Sequence, residues 1–261
     1  MGLCAAEEAV TFDDAQTALS RLSGDGALVV ADLADHGAGA LPDAARRLLA
    51  HAITPANTLA RRVVLSMSGS IVQGARRLSL TATEQLAPLH GFAWTARARL
   101  GPAVVVVRDH YFHDDSRVDV RLFGVIPIGG EAGPDTTASS RGRLAAESIW
   151  VPSMLLPQPG IAWSGIDQDK ATVTMSIGSS RESVTVTVDE RGRLMELAMH
   201  RWGNVGVPHH QPIPYGFRVL AERTFDGYTI PSFLEGGWWF GTTRFDPDRA
   251  SRFVITQAQF S

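Results

Sequence analysis

The feature that most constrains this fold is a long succession of short segments in which apolar and polar residues alternate. In the first of them, Val63, Leu65 and Met67 alternate with serines, which is the period-two pattern of a half-buried strand. About eleven such segments follow one another with short turns between them. The predicted strands are 63–71, 77–82, 92–100, 103–112, 117–128, 173–177, 184–188, 194–202, 217–225, 228–240 and 252–260. The sequence therefore predicts a mainly β protein, built as a long antiparallel meander.

A long meander must protect its edge strands, and curling or closure into a barrel does so. Residues 139–154 alone break the series with a helical pattern, while residues 42–53, which begin with Pro42, form a predicted helix before it. We expect a strongly curved antiparallel sheet, or an incomplete or closed β-barrel, that is capped by helices and encloses an apolar cavity. Residues 41–261 would form this single barrel-like domain, and residues 1–40 a helical or irregular extension.

The extension contains one predicted helix and a Gly/Asp-rich stretch. Residues 13–22 form a short amphipathic pattern with Thr11 as a possible N-cap, and the apolar run ALVVADLA follows. Residues 1–40 contain no apolar run long enough for a signal peptide or a membrane span. The expectation is a soluble, cytoplasmic protein without stable membrane insertion.

Composition and motifs exclude several classes of function. With a net charge of −3 and no basic stripe with interleaved aromatic residues, the chain does not fit a nucleic-acid binder. A Schiff-base mechanism would have to use Lys170, the only lysine, and Cys4 as the only cysteine excludes internal disulfides and thiolate metal clusters. Gly129-Gly130 and Gly236-Gly237 precede no helix signal, so neither makes a phosphate loop or a dinucleotide fingerprint. No cofactor is predicted.

The strongest candidate for chemistry is Glu147, the one carboxylate in the predicted helical segment Arg143 to Pro157. On a helical wheel it falls beside Trp150, in an otherwise apolar environment. A carboxyl group in such a place is either desolvated for acid–base work or held by a buried partner. Both alternatives stay open: a catalytic acid or base, or a structural carboxylate bound to an arginine such as Arg201 or Arg218.

Two further polar candidates lie in predicted strands. Asp109 shares a strand face with His113, and His200 shares a face with Trp202 and opposes Arg201. An imidazole beside an indole suits a ligand pocket, although a pair at the rim of the sheet is the alternative. Divalent metals usually need three or four protein ligands, and the sequence around His113 lacks that spacing, so no metal site is predicted.

The predicted binding residues are mainly aromatic. Tryptophans supply wide apolar walls, although for most of them packing in the core is the expected role. Arg218 and Glu222, four residues apart in a strand pattern, are predicted on one face, where they would orient a polar substrate group inside a barrel and form ordinary surface outside it. The predicted substrate-binding set is Trp94, Trp150, Trp202, Tyr215, Arg218 and Trp238.

Several segments together carry a family resemblance, which runs from about Leu41 to Phe260. They are LPDAARRLLAHAI, HGFAWTARARL, VRDHYFHDDSRVDVRLFGVIPI, AESIWVPSMLLP and DGYTIP, with Arg108-Asp109, the turn Gly124-Val125-Ile126-Pro127, Glu147, Trp150 and Pro152 as the best markers. The chain resembles a bacterial family known as a domain of unknown function. The resemblance implies a fold similar to half-barrels of the lipoprotein-carrier type, an incomplete antiparallel barrel capped by helices around an apolar cavity.

Two functions of different class fit these patterns. The first is a cofactor-independent enzyme that acts on a hydrophobic small molecule by cyclisation, isomerisation or a related step of specialised-metabolite biosynthesis. Its catalytic groups would be Glu147, Asp109 and His200. The second is a non-catalytic carrier or sensor of a hydrophobic ligand or lipid. Both have a hydrophobic small molecule as partner, and both leave the oligomeric state open.

Overall fold

Thirteen strands and three α-helices make up the protein in a computed structural model that describes residues 9–22, 37–73 and 76–261. The helices are α1 (Phe12–Ser20), α2 (Asp43–Ala52) and α3 (Pro134–Glu147). The strands are β1 (Val63–Gln73), β2 (Arg76–Ala87), β3 (Gly91–Leu100), β4 (Ala103–Phe112), β5 (Asp115–Leu122), β6 (Ile126–Ala132), β7 (Ile161–Gly165), β8 (Lys170–Ile177), β9 (Ser180–Val188), β10 (Leu194–Gly203), β11 (Gln211–Phe225), β12 (Tyr228–Trp238) and β13 (Ser251–Phe260). The predicted features at Cys4 and in the run ALVVADLA lie outside the described residues.

All thirteen strands belong to one antiparallel sheet, a half-barrel, in the order β6-β5-β4-β3-β2-β1-β13-β12-β11-β10-β9-β8-β7. Neighbours in the sheet are neighbours in the chain, except that β1 pairs with β13. This pairing joins the two halves of the meander and leaves β6 and β7 at the edges. The predicted mainly β class, with a strongly curved antiparallel sheet capped by helices, is confirmed.

The sequence pattern missed two strands. The predicted strand 117–128 is β5 and β6 with a turn between them, where Phe123 and Gly124 take φ values of 52° and 77°. The second, β7, has only Ile161 buried, so it carries no alternation of apolar and polar residues. The pattern therefore did not separate β6 from β5, because apolar residues continue through the turn between them. It missed β7 because that strand is mostly exposed.

The helix α1 lies on the face of the sheet opposite to the main core. It begins after Thr11, whose side chain accepts from the backbone N–H of Asp14 while the Asp14 carboxylate accepts from the backbone N–H of Thr11. This capping box confirms the predicted N-cap. Leu19 of α1 packs on Ala87 and Ala93, in a small apolar cluster separate from the main core.

The main core lies on the concave face of the sheet, under α2 and α3. In β8 and β9, alternate residues are buried, as the period-two pattern predicts. The helix α2 buries Ala45, Leu48 and Leu49 in the same core. Among the residues for which coordinates are described, no helix is both long enough and apolar enough to cross a membrane.

The helix α3 connects the two edge strands, β6 and β7, and packs against β4–β6 on one side and β8–β10 on the other. It begins earlier and ends sooner than the sequence predicts: Pro134 stands at its first turn, and two 3₁₀ turns, Ser148–Trp150 and Pro152–Leu155, follow Glu147. Pro152 has no N–H and excludes the helical conformation at Val151, whose φ and ψ are −129° and 73°. The whole segment caps the concave face.

Candidate functional site

A cavity of about 190 Å³ lies between α3 and the concave face of the sheet. An engineered cavity of roughly 150 Å³ in another protein binds benzene, so this cavity is large enough for a small ligand. Its apolar lining consists of Met67, Trp94, Ala146, Ile149, Trp150, Leu197, Phe217, Leu234 and Phe253. Its polar lining consists of Asp109, Arg143, Glu147, Arg201 and Tyr215.

One guanidinium group, that of Arg143, binds three carboxylates from three different elements. Its Nε donates to Glu147 Oε1 at 2.8 Å, its Nη1 to Asp109 Oδ2 at 2.6 Å and its Nη2 to Glu84 Oε1 at 2.9 Å. The side chain of Arg143 is 12% exposed and that of Glu84 is fully buried. The planar fork of arginine donors makes this three-way arrangement possible.

Local structure explains why these side chains meet. Arg143 and Glu147 are four residues apart on α3, and therefore lie on the same face of that helix. Glu84 lies in β2 between Ala82 and Leu86, on the row of residues that points into the core. Asp109 occupies the corresponding inward position in β4 and lines the cavity.

Two aromatic rings enclose the guanidinium group. The Cζ of Arg143 lies 4.3 Å from the centre of the Phe92 ring and 5.0 Å from that of Trp94. Both distances allow favourable cation–π interaction, which strengthens when the cation is desolvated. The aromatic walls therefore hold the positive charge in place while the carboxylates neutralise it.

The cluster holds more carboxyl groups than one arginine can neutralise. Burial, and then the neighbouring charge of Glu147, raises the pKa of Glu84 well above its usual range. Burial also raises the pKa of Asp109, although Arg143 opposes the change. Burial would lower the pKa of Arg143, but the surrounding carboxylates raise it instead. The shift favours the protonated form of Glu84, which lies within hydrogen-bonding reach of Glu147.

Each carboxyl group in the cluster uses only one oxygen to accept from Arg143. Among the described residues, Asp109 Oδ1, Glu147 Oε2 and Glu84 Oε2 are buried and have no hydrogen-bond donor. A proton on Glu84 supplies one donor toward Glu147, which leaves Asp109 Oδ1 unsatisfied. Buried acceptors without donors cost free energy, so a donor that reaches these oxygens would stabilise the cluster.

A second arginine, Arg201 of β10, borders the same cavity. Its Nε donates to the Ser139 carbonyl oxygen of α3 at 3.0 Å. Its guanidinium carbon lies 4.9 Å from the centre of the Tyr215 ring and 5.1 Å from that of Trp238. Burial raises the pKa of Tyr215, so its hydroxyl stays neutral and can donate or accept a hydrogen bond.

A comparison with protein families decides where the chain belongs. Residues 33–247 match the family described as a family of unknown function, DUF6544. The chain belongs to DUF6544. The predicted membership of a family of unknown function is therefore confirmed. No curated protein matches the sequence.

Solved structures similar to this DUF6544 chain share little sequence with it. A domain assigned to outer membrane lipoprotein sorting from Vibrio parahaemolyticus is 7% identical, with 77% of this chain and 85% of that chain covered and a TM-score of 0.41. A LolA superfamily protein from Nitrosomonas europaea is 8% identical, with 84% and 92% covered and a TM-score of 0.41. A DUF1329 family protein from Desulfovibrio piger is 7% identical, with 77% and 86% covered and a TM-score of 0.39.

Five of the predicted site residues line the cavity of the DUF6544 chain, and a sixth adjoins it. The lining residues are Trp94, Asp109, Glu147, Trp150 and Tyr215. Trp238 packs beside the cavity, with its ring centre 5.0 Å from that of Tyr215. Glu147 faces the cavity and is also bound to an arginine. That arginine is Arg143 of the same helix.

Three predicted site residues do not reach the cavity. Because Leu197 and Arg201 of β10 point inward, His200 points outward and is exposed. Trp202 donates its indole N–H to Asp135 Oδ1 at 2.8 Å, near the start of α3. Arg218 is 61% exposed and pairs with an exposed glutamate of β10 at 3.2 Å.

The predicted pairing of Arg218 with Glu222 on one strand face is wrong. Between Val219 and Ala221, β11 has one residue more than β12, namely Leu220, and such a bulge reverses the alternation of faces in β11 before Glu222. Glu222 Oε2 instead lies 2.9 Å from Nε2 of His51 in α2, within hydrogen-bonding distance. Arg218 and Glu222 therefore belong to different surroundings.

Sequence patterns missed two members of the cluster. Glu84 was missed because the predicted strand ended at Ala82, whereas β2 continues to Ala87 and points Glu84 inward. Arg143 could have been predicted from its spacing of four residues from Glu147, because residues four apart on a helix lie on the same face and can form an ion pair. Within the part of the chain that the structure describes, no three His, Cys, Asp or Glu side chains are grouped to hold a metal ion.

Proposed function

We propose that the cavity binds a mainly apolar small molecule and that the protein is a non-catalytic carrier or sensor of it. One observation carries the proposal: a mainly apolar cavity of about 190 Å³ in the core of the half-barrel. Protein interiors are close-packed and contain few voids larger than a water molecule. Trp150 donates its indole N–H to the Pro231 carbonyl oxygen at 3.1 Å, so its ring offers the cavity an apolar surface.

Native mass spectrometry tests this proposal on protein purified from its own host. The expected result is a bound small molecule that leaves under gentle activation, is mainly apolar and is chemically unchanged after prolonged incubation. The matched control is Ala146→Phe, since Ala146 lines the cavity from α3 and a phenyl ring there would occupy much of its space. A species bound equally to both proteins would place the ligand elsewhere and contradict the proposal.

A second candidate function is the cofactor-independent enzyme, and the paired glutamates favour it. Glu147 faces the cavity, and Glu84 lies behind it within hydrogen-bonding reach, with a pKa that burial raises. A buried acid that can pass its proton through a second carboxyl to a bound molecule suits isomerisation or cyclisation, which both move protons. Asp109 and Tyr215 would then orient the substrate.

Glu147→Gln discriminates between the two candidates. If the protein is an enzyme, a ligand that the wild type converts binds to the variant and is returned unchanged. If the protein is a carrier, the variant and the wild type both return the ligand unchanged. Product analysis by liquid chromatography and mass spectrometry reads the outcome, with Glu196→Gln on the outer face as the control.

A further inference from the structure

We propose that the ligand carries a protonated amine, whose ammonium group binds between Asp109 and Glu147 and displaces a proton from the cluster. This inference rests on the proposed function, because it names the chemical class of the molecule that the cavity takes. The otherwise apolar ligand would thus have a charged head group, and its binding would change the protonation of the carboxyl cluster.

The geometry of the acceptors points to a group with several donors. Asp109 and Glu147 both line the cavity, and Arg143 holds one oxygen of each, so their positions are fixed before any ligand arrives. The other oxygens, Asp109 Oδ1 and Glu147 Oε2, are buried and lack donors among the described residues. An ammonium group carries three N–H donors and no acceptor, and therefore complements two such oxygens.

The balance of charge around the cavity also favours a cation. The ionisable groups that face the cluster are Glu84 of β2, Asp109 of β4, Arg143 and Glu147 of α3, Arg201 of β10 and Tyr215 of β11, with His110 of β4 behind Asp109. When all the carboxyls are ionised, three negative charges meet two arginines. One positive charge is missing, and either a proton on Glu84 or a bound cation supplies it.

The surroundings are less suited to an anionic ligand. The Nε of Arg201 already donates to Ser139, and its guanidinium group packs against the rings of Tyr215 and Trp238. A ligand carboxylate in the cavity would also face Asp109 and Glu147. Trp94 and Trp150, in contrast, line the cavity, and aromatic rings attract cations.

The same geometry couples binding to the release of a proton. Three carboxyl groups meet around Arg143 with only Arg201 as a second cation nearby, so in the absence of ligand a proton between Glu84 and Glu147 would offset the excess negative charge. An ammonium group that donates to Glu147 Oε2 takes over this role, so the Glu84 proton passes to solvent while the amine keeps its own. One proton therefore leaves for each ammonium group bound.

A matched series of probes tests the head group. Octylamine, 1-octanol and octanoate have the same chain, but cationic, neutral and anionic heads at pH 7. Isothermal titration calorimetry should show octylamine binding at least ten times more tightly than 1-octanol, and octanoate more weakly than both. Titrations in two buffers of different protonation enthalpy should give about one proton released per octylamine and none per 1-octanol.

Variants connect the effect to the cluster. Asp109→Asn should reduce the preference for octylamine over 1-octanol at least tenfold, while Glu196→Gln on the outer face leaves it unchanged. Glu84→Gln should abolish proton release, because an amide has no proton to lose in this range. Circular dichroism and the melting temperature establish whether each variant is folded. If Asp109→Asn does not fold, the proton release measured with Glu84→Gln decides the test.

The outcomes separate the two proposals. If none of the three probes binds, the proposed binding function is wrong. If 1-octanol or octanoate binds as tightly as octylamine, or if octylamine releases no proton, the cavity binds apolar molecules but the ammonium site is wrong. Tight octylamine binding with proton release in the wild type, and without release in Glu84→Gln, supports both.

Discussion

At the residue scale, the site depends on Arg143. Three carboxylates from β2, β4 and α3 share its guanidinium group, so it connects two strands of the sheet to the helix that caps them. A buried ion pair adds little net stability when compared with apolar residues, but removal of one partner leaves charges buried and uncompensated. Arg143 therefore has a structural role as well as a place in the cavity.

Arg143→Met keeps much of the side-chain volume and removes the charge. We expect the free energy of unfolding at neutral pH to fall by about 3–5 kcal/mol, because the three carboxyl groups then lose the one guanidinium group that binds all of them. The loss should shrink as pH falls and the carboxyls become protonated. Urea denaturation at several pH values measures it. Arg218→Met, in an exposed pair, should cost less than about 1 kcal/mol, and equal losses for both variants would contradict this account.

Glu84→Gln should change how stability depends on pH. Because the folded pKa of Glu84 is raised, the folded state binds more protons than the unfolded state between the ordinary glutamate pKa and the raised value. The wild type therefore loses stability as pH rises through that window, by up to about 1.4 kcal/mol per pH unit for one proton. Glutamine cannot titrate, and its amide can donate to Glu147 as the protonated acid does.

The measurement is the difference in unfolding free energy between Glu84→Gln and the wild type from pH 4.5 to 8. The unfolding free energy of the variant should increase relative to that of the wild type as pH rises. Groups that titrate in both proteins contribute almost equally to the two values, so their contributions largely cancel in the difference. Glu196→Gln, an exposed carboxylate of β10, serves as the control and should show little slope. A difference for Glu84→Gln that stays flat over the whole range would show that Glu84 is ionised in the folded protein.

The sequence indicates part of this cluster and leaves part of it open. Glu147 could be identified because it is a carboxylate among apolar residues. Asp109 could be identified because the alternation of its strand assigned its side chain to one face of the sheet. The identity of the partner arginine depends on tertiary structure, since the chain has many arginines. To predict that Glu84 points inward, one must know that its strand continues past residue 82. A single sequence defines strand ends poorly, because a strand ends where its pairing with neighbouring strands ends.

At the scale of elements, α3 is the part on which the cavity depends. It passes from one edge of the sheet to the other and supplies Arg143, Ala146 and Glu147 to the lining. It fits closely against β10 at Gly142, where an added Cβ would lie 2.9 Å from Arg201 Cγ. The glycine therefore lets the helix approach the strand that carries the second arginine of the site.

A double-mutant cycle tests this close approach. Gly142→Ala alone should destabilise the protein by about 1–3 kcal/mol, because Arg201 is held by Ser139 and cannot move freely. In an Arg201→Ala background the same change should be neutral or stabilising by up to about 1 kcal/mol, since alanine favours a helix more than glycine does. Thermal and urea unfolding measure both. Equal effects of Gly142→Ala in the two backgrounds would rule out the contact.

The boundaries of α3 show what periodicity alone cannot give. The pattern from Arg143 to Pro157 is apolar at helical spacing, yet only its first residues are α-helical, because Pro152 excludes the helical conformation before it. The start at Pro134 was missed because the first turns of α3 carry small polar residues. The existence of the helix could be predicted, whereas its ends depended on local proline chemistry and on packing against β4–β6 and β8–β10.

At the scale of the whole molecule, the half-barrel follows from the sequence more directly than the site does. Many alternating segments in succession require an antiparallel sheet, and such a sheet must curl to bury its concave face. The pairing of β1 with β13 could not be seen in the pattern, because it joins residues nearly 200 positions apart, as at Val63 and Phe260. That pairing and α3 together determine where the cavity lies.

The six tryptophans allow the most direct test of the claim that the cavity between α3 and the sheet is the ligand site. The indole groups of Trp94 and Trp150 lie at the cavity, whereas those of Trp163, Trp202 and Trp239 donate to Leu155, Asp135 and Val205 elsewhere. Uniformly ¹⁵N-labelled protein, titrated with 1-octanol, reports all of them in one ¹H–¹⁵N spectrum.

We expect the indole signals of Trp94 and Trp150, assigned by single Trp→Phe substitutions, to shift and saturate together. Those of Trp163, Trp202 and Trp239 should stay in place. Saturating shifts confined to the three distant indoles, or no saturating shift at any of the six, would contradict the account.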